Sequence, residues 1–311
     1  MSRIPEIVFV TREEIIDELW NKGIESAFNS NIYAYTWYLD IVSPGWSALI
    51  TDNYDYLFPL PTKKKYGINY IIQPLYCQQL GLYSSKHITP ELVDTFIDNI
   101  PSKFKYVNIN LNIHNKTDKH KSDTNSRVTY MLDLLNYDDQ IFPKYKENTK
   151  RNILKAFAKN HTITTSLTPS EFISFYKYNG HIESPAKEIK IIKQLIECLI
   201  RQQKLTLLGC INQSNEIGSV ALFAENNDTI YYLLGARNKR IKSSSLHFLL
   251  DYQIKNRSGL GKTLDFEGSM IPSIAHFFSG FGAKPCKYLN YTKNSIPASD
   301  LILRLKKELG L

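Results

Sequence analysis

The sequence predicts an α/β (α+β) protein of two similar tandem domains, each a mixed, mostly antiparallel sheet flanked by helices. Three observations predict it. A chain of 311 residues suggests two cores, at about 150 residues per domain. Short β-branched and aromatic runs alternate with amphipathic helical patterns in both halves. The order of these elements also repeats: starts near residues 46, 54, 70, 90 and 104 recur near 204, 217, 229, 244 and 262, an offset of about 160 residues.

The first half opens with a strand over Ile7–Val10 and a helix over Thr11–Ala27, where Thr11 and Glu14 form a capping-box pattern. A short aromatic helix is expected over Tyr35–Val42, then strands over Trp46–Thr51, Tyr54–Leu60 and Tyr70–Gln73. A helix over Pro90–Ile100 leads to strands over Phe104–Leu111 and Arg127–Leu134. Asn-Tyr-Asp-Asp and Phe-Pro interrupt the pattern over Asn136–Lys150, which places the domains at 1–140 and 141–295. In the second half, helices over Pro169–Tyr178 and Ala186–Gln203 precede strands over Leu205–Ile211, Ile217–Ala224 and Thr229–Leu234. A helix over Ser244–Lys255 and a strand over Lys262–Phe266 follow. Residues 296–311, helical over Ala298–Leu309, are expected to pack back on the first domain.

Composition narrows the function classes. Hydrophobic residues are 43% and charged residues 22%, as in soluble globular chains. No run reaches the ~18 apolar residues of a membrane span, and the N-terminus has no signal-peptide core. The four cysteines are scattered without metal or redox spacing, so reduced thiols, no metal and a cytoplasmic location are expected. The net charge of +8 favours an anionic partner. Lys144, Lys146, Lys150, Arg151, Lys155 and Lys159 crowd a stretch whose one acid is Glu147, and Lys63-Lys64-Lys65 forms a smaller basic group. No DNA- or RNA-binding motif accompanies this charge.

The chemistry-bearing residues concentrate in the second half. Gly235 to Ser245 reads as a basic, serine-rich loop before a helix, where unpaired amides and the helix dipole favour an anion. Leu264-Asp265-Phe266-Glu267-Gly268-Ser269 reads as a strand end and turn carrying two carboxylates. Three antiparallel strands, a helix and a strand is the order of the GNAT acyltransferase fold. Arg240-Ile-Lys-Ser243-Ser244-Ser245 resembles its pyrophosphate loop, with serines at both glycine positions. The first half has no such loop near Ser84–Lys86.

The second half resembles the tandem-GNAT group that includes the Fem-type peptidoglycan bridge aminoacyltransferases. Lys150-Arg151-Asn-Ile-Leu-Lys155-Ala156 is similar to the group's basic helix, and Leu233–Ala236 to the strand before the donor loop. The Asp265–Ser269 turn is similar to Asp-Phe-Gly-Gly, and Phe277-Phe278-Ser-Gly-Phe281-Gly282 to Phe-Lys-x-x-Phe-Gly. The resemblance covers roughly residues 145–292 and implies acyl transfer. Phe278 stands where the Fem pattern has a lysine that assists aminoacyl transfer. That departure favours acetyl-CoA or another acyl-CoA as donor over aminoacyl-tRNA.

On this reading Arg237, Arg240, Ser243, Ser244 and Ser245 hold the donor. Glu267 is the expected general base, His276 a further candidate base, and Tyr232 a proton donor to the leaving thiolate. Asp265 is expected to hold the turn. Gln73, Tyr76 and Gln78, with Lys150 and Arg151, are expected to bind a small or cell-wall-precursor acceptor between the domains. A tRNA-dependent aminoacyltransferase on a peptidoglycan precursor is the alternative enzyme, and a non-catalytic GNAT-fold binding protein is the alternative class.

Overall fold

The computed structural model describes residues 6–65, 67–183, 185–240, 244–268 and 270–296. Ser243, Ser269 and the helix expected over Ala298–Leu309 lie outside the described residues. In chain order the elements begin with β1 (Ile7–Thr11), α1 (Asp17–Ser26), α2 (Thr36–Val42) and β2 (Ser47–Thr51). Next come β3 (Leu57–Leu60), β4 (Thr62–Lys65), β5 (Ile68–Ile72), α3 (Pro90–Asp98), β6 (Phe104–Asn110) and β7 (Thr124–Asp133). They continue with α4 (Glu147–Ala158), β8 (Thr162–Thr164), α5 (Pro169–Asn179), α6 (Pro185–Arg201), β9 (Leu205–Ile211) and β10 (Ile217–Glu225). The last are β11 (Thr229–Arg237), α7 (Ser245–Arg257), β12 (Thr263–Asp265), α8 (Pro272–Ser279) and β13 (Lys284–Asn294).

The chain divides into two compact units, one holding the described residues up to Arg127 and from Tyr288 onward, the other Val128–Lys287. The stretch over Asn136–Lys150 lies in the second unit, where it forms helical turns and the start of α4.

In the first unit, β2 pairs antiparallel with β1 and β3. Pro61, which has no N–H to donate, separates β3 from β4. The strand β4 pairs antiparallel with β5, β5 parallel with β6, and β6 antiparallel with the end of β13. The single helix expected over Thr11–Ala27 is interrupted: a 3-10 turn over Arg12–Glu14 is followed by extended Ile15 and Ile16. Within this turn Arg12 forks onto Asp40 at 2.6 and 2.8 Å. The core is aromatic, with Trp20 edge-on to Trp46 at 4.8 Å.

In the second unit, β11 pairs antiparallel with β10, β10 with β9 and β9 with β8, while β12 runs parallel to β11 and antiparallel to β7. The helix α7 turns Leu249, Leu250 and Ile254 into a core with Leu208, Phe223, Leu264 and Phe281. Each fully buried side chain of this size stabilises the fold by roughly 1.5–3 kcal/mol relative to exposure. Thr168 and Glu171 close a capping box at the start of α5. Both units thus place antiparallel strands, a helix and a final parallel strand in the order the sequence repeats.

Candidate functional site

The second unit holds a fork between two parallel strands. Pairing of β11 with β12 runs over Thr229↔Thr263, Ile230↔Leu264 and Tyr231↔Asp265, and then stops. Beyond Tyr231, β11 continues to Arg237 paired with β10 alone. At the fork the register skips one residue: Leu222 faces Leu234 and Phe223 faces Tyr232, which leaves Leu233 in a bulge. Bulges concentrate beside active sites because they re-aim side chains and free backbone groups. Three aromatic rings, all buried in the core of this unit, pack together behind the fork: Tyr232 from β11, Phe266 from the end of β12 and Phe278 from α8. Phe278 lies 4.9 Å from Phe266 and 6.2 Å from Tyr232, centroid to centroid.

The turn after β12 is held by Asp265. Its Oδ1 accepts from the Thr129 hydroxyl at 2.5 Å and from the Glu267 N–H at 2.8 Å. After Phe266, two residues in succession have left-handed backbones, Glu267 at φ 58° and Gly268 at φ 23°. A Cβ on Gly268 would fall 2.2 Å from the Val128 carbonyl oxygen and 2.3 Å from the Thr129 Cα, so only glycine fits. Glu267 is half-buried and pays strain of about 1–2 kcal/mol for a conformation glycine adopts freely.

Burial pushes the Asp265 carboxyl up to about 6, against the bonds from Thr129 and Glu267. The same group ionises near 4 in an unfolded chain. Its contribution to stability is therefore full below about pH 4 and lost as pH rises through 6, to the extent of about 3 kcal/mol. Urea midpoints measured at pH 5 and pH 8 should show the wild type weaker at pH 8. Asp265→Asn should shrink that difference; an identical difference in the variant would remove Asp265 as its source.

The strand β11 runs through Gly235, Ala236 and Arg237, so the loop before α7 is shorter than the sequence suggests and begins at Asn238. Gly235 is packed under Tyr232: a Cβ there would overlap the tyrosine hydroxyl. Burial raises the Tyr232 pKa and keeps the phenol protonated. In the loop, Arg240 donates its N–H to Asn238 at 2.9 Å, and Lys239 is fastened to Asn179 and Gly180. Arg237 and Arg240 are exposed, and neither has an ion-pair partner among the described residues. Ser245 is fully buried in the first turn of α7 against Gly218 of β10, where a larger residue would push the helix off the sheet. Ser244 donates to the Asn152 side chain at 3.1 Å.

Asn152 also reaches His247, nitrogen to nitrogen at 3.4 Å. His247 packs edge-on to Phe277 at 4.8 Å, and burial, then the charge of Arg237, hold its pKa down to about 4. It is neutral at pH 7. Sequence reasoning missed this Ser244–Asn152–His247 chain because the two ends are 92 and 95 residues from Asn152 and no local pattern links them. One turn further along α7, Asp251 accepts from the Tyr137 hydroxyl at 2.6 Å.

No family model matches the sequence, and no curated protein matches it. Solved structures do match by shape. FemX superposes with a TM-score of 0.65 at 12% identity, covering 91% of this chain and 96% of FemX. A tandem GNAT protein from the clavulanic acid biosynthesis pathway gives 0.53 at 10% identity, covering 94% and 100%. L-PGS from Bacillus licheniformis gives 0.50 at 12%, covering 85% and 88%. The fold is the tandem-GNAT fold.

The two GNAT units differ at the fork. In the first unit the equivalent opening between β5 and β6 is closed. The Gln73 N–H donates to the Asn108 carbonyl at 2.8 Å, and its side chain accepts from the Asn110 N–H at 2.9 Å while donating to the Cys77 carbonyl at 2.6 Å. Asn110 reaches the Gln78 carbonyl at 2.7 Å, and the Leu80 N–H bonds the Asn110 carbonyl at 2.8 Å. Residues 73–80 are thus zipped along β6. They form turns rather than a strand, and Tyr76 is left-handed at φ 58° with its carbonyl accepting from the Tyr38 hydroxyl. Gln78 accepts from Gln79 at 2.8 Å. These amides are spent on the chain itself, which is what burial demands of them. The first unit's Ser84–Lys86 loop is likewise tied, by Lys86 to Asp55.

His276 is exposed on α8, not a core residue. Lys150 is engaged locally with Glu147 at 3.0 Å, and exposed Arg151 donates to Asn148 at 2.7 Å. The four cysteines are free thiols, three of them buried. Among the described residues no helix is long and apolar enough to cross a membrane, and no cluster could hold a metal ion.

Proposed function

We propose that the chain is an acyltransferase that moves an acyl group from a CoA thioester to an amine or hydroxyl of a small or cell-envelope-related acceptor. The observation that carries this reading is the asymmetry of the two forks: one is zipped shut along β6, the other opens after Tyr231 beside a bulge, with Arg237, Lys239 and Arg240 following it in the chain. The donor's pyrophosphate would meet the first-turn amides of α7, Ser244 and the exposed Arg237 and Arg240. Its acyl arm would lie at the open end of the fork, beside the bulge at Leu233. Glu267, at the mouth of the turn, would take the proton from the attacking amine or hydroxyl. As the carbon–sulfur bond breaks, Tyr232, kept protonated by burial, would return a proton to the thiolate.

A tRNA-dependent aminoacyltransferase acting on a peptidoglycan precursor is the second reading. The Fem-type resemblance and the net charge of +8 favour it. Phe278 weighs against it, because the position of the assisting lysine is part of an aromatic wall.

Ligand-specific stabilisation separates the readings. Acetyl-CoA or a longer acyl-CoA at about 100 times its Kd should stabilise the protein by about 2.7 kcal/mol and raise Tm by about 5–10 °C. Arg240→Ala should reduce that shift. Absence of a shift with every CoA thioester would overturn the proposal; tRNA binding in its place would favour the aminoacyl route, and neither would leave a binding protein.

A further inference from the structure

We propose that the outer face of α4 is a docking surface for an anionic lipid bilayer. The helix buries Thr149, Ile153 and Ala156. Its opposite side carries two parallel rows. Arg151, Lys155 and Lys159 are spaced by four residues, and all three are exposed. Beside them run Leu154, 61% exposed, and Phe157, 68% exposed, with exposed Ala158. Single exposed apolar residues are ordinary on protein surfaces. A leucine and a phenylalanine one turn apart, flanked by a row of cations, form the pattern of helices that lie in a membrane interface. The one acid of the helix, Glu147, is paired with Lys150, so the cationic row keeps its charge.

Charge complementarity selects the occupant. The lipid headgroups would meet Arg151, Lys155 and Lys159, while Leu154 and Phe157 enter the acyl boundary. A second copy of the chain docked two-fold on the same face would bring the cationic rows together. A nucleic-acid backbone would use the cations and leave Leu154 in water. The surface goes beyond the proposed acyl transfer, and its test needs no substrate.

The test is co-sedimentation of the full chain with vesicles of phosphatidylcholine alone and with equal parts of phosphatidylglycerol. Binding is expected to the mixed vesicles only, and to fall as salt rises. The pair Leu154→Ser/Phe157→Ser should weaken binding by at least about tenfold with an unchanged thermal transition. Lys155→Gln and Lys159→Gln should each weaken it by about fivefold. Three results would each overturn the proposal: equal binding to neutral vesicles, binding untouched by the serine pair, or a concentration-dependent dimer that the serine pair abolishes.

Discussion

Glu267→Gly should give a protein at least as stable as the parent and about a hundredfold or more slower in acyl transfer. The stability side follows from the backbone. Glu267 holds φ 58°, and glycine reaches that region without a Cβ clash, so the change is worth up to about 1 kcal/mol after the extra chain entropy of glycine. The activity side follows from loss of the proposed general base, a kind of loss that typically costs 10²–10⁴-fold. A companion variant separates the two effects. Glu267→Gln keeps the side chain's size and the strained backbone but loses the base, so turnover should fall with no gain in stability. A strained residue retained where glycine would be easier points to function. Full turnover in Glu267→Gln, measured by thiol release from acyl-CoA, would end the assignment.

Gly268→Ala should cost about 3–5 kcal/mol, enough to lower Tm by about 10 °C or to prevent folding. The Cβ would meet backbone atoms of Val128 and Thr129 at 2.2–2.3 Å, and neither can swing aside as a side chain could. Gly259→Ala is the control. Gly259 also has a left-handed backbone, at φ 74°, but a Cβ there meets nothing within 4 Å. It should lose only about 1 kcal/mol, the cost of the conformation alone. Equal losses in the two variants, measured by urea unfolding, would show that the close approach of the turn to β7 contributes nothing.

Elements with strong local signals were legible in the sequence. Near-continuous apolar and aromatic runs marked β9, β10 and β11, and the apolar spacing of Ile192, Leu195, Ile196 and Leu199 marked α6. The strand expected over Tyr70–Gln73 ends at Ile72, and the segment over Gln73–Gln79 does not continue it. Pro74 and the left-handed Tyr76 instead fold it into turns whose glutamines bond to β6 and to each other. The strand β4 was missed because Thr-Lys-Lys-Lys has no apolar face to betray it; its lysines suit the edge of a sheet. In the candidate site, the carboxylate turn, the serines and arginines of the loop and Tyr232 were visible as residue types. The bulge at Leu233, the strain at Glu267 and the neutral His247 were not: the first lies in the pairing register with β10, the second in the backbone angle of the turn, and the third in packing against α4 and α8.

Hydrogen–deuterium exchange with and without saturating acyl-CoA tests the place of the donor. Slower exchange is expected over residues 232–248 and 265–268, the fork, loop and turn of the second unit, with no change over 68–80 and 104–111 in the first. Protection of the first unit's segments, or unchanged exchange over 232–248 in the presence of a bound CoA thioester, would contradict the account.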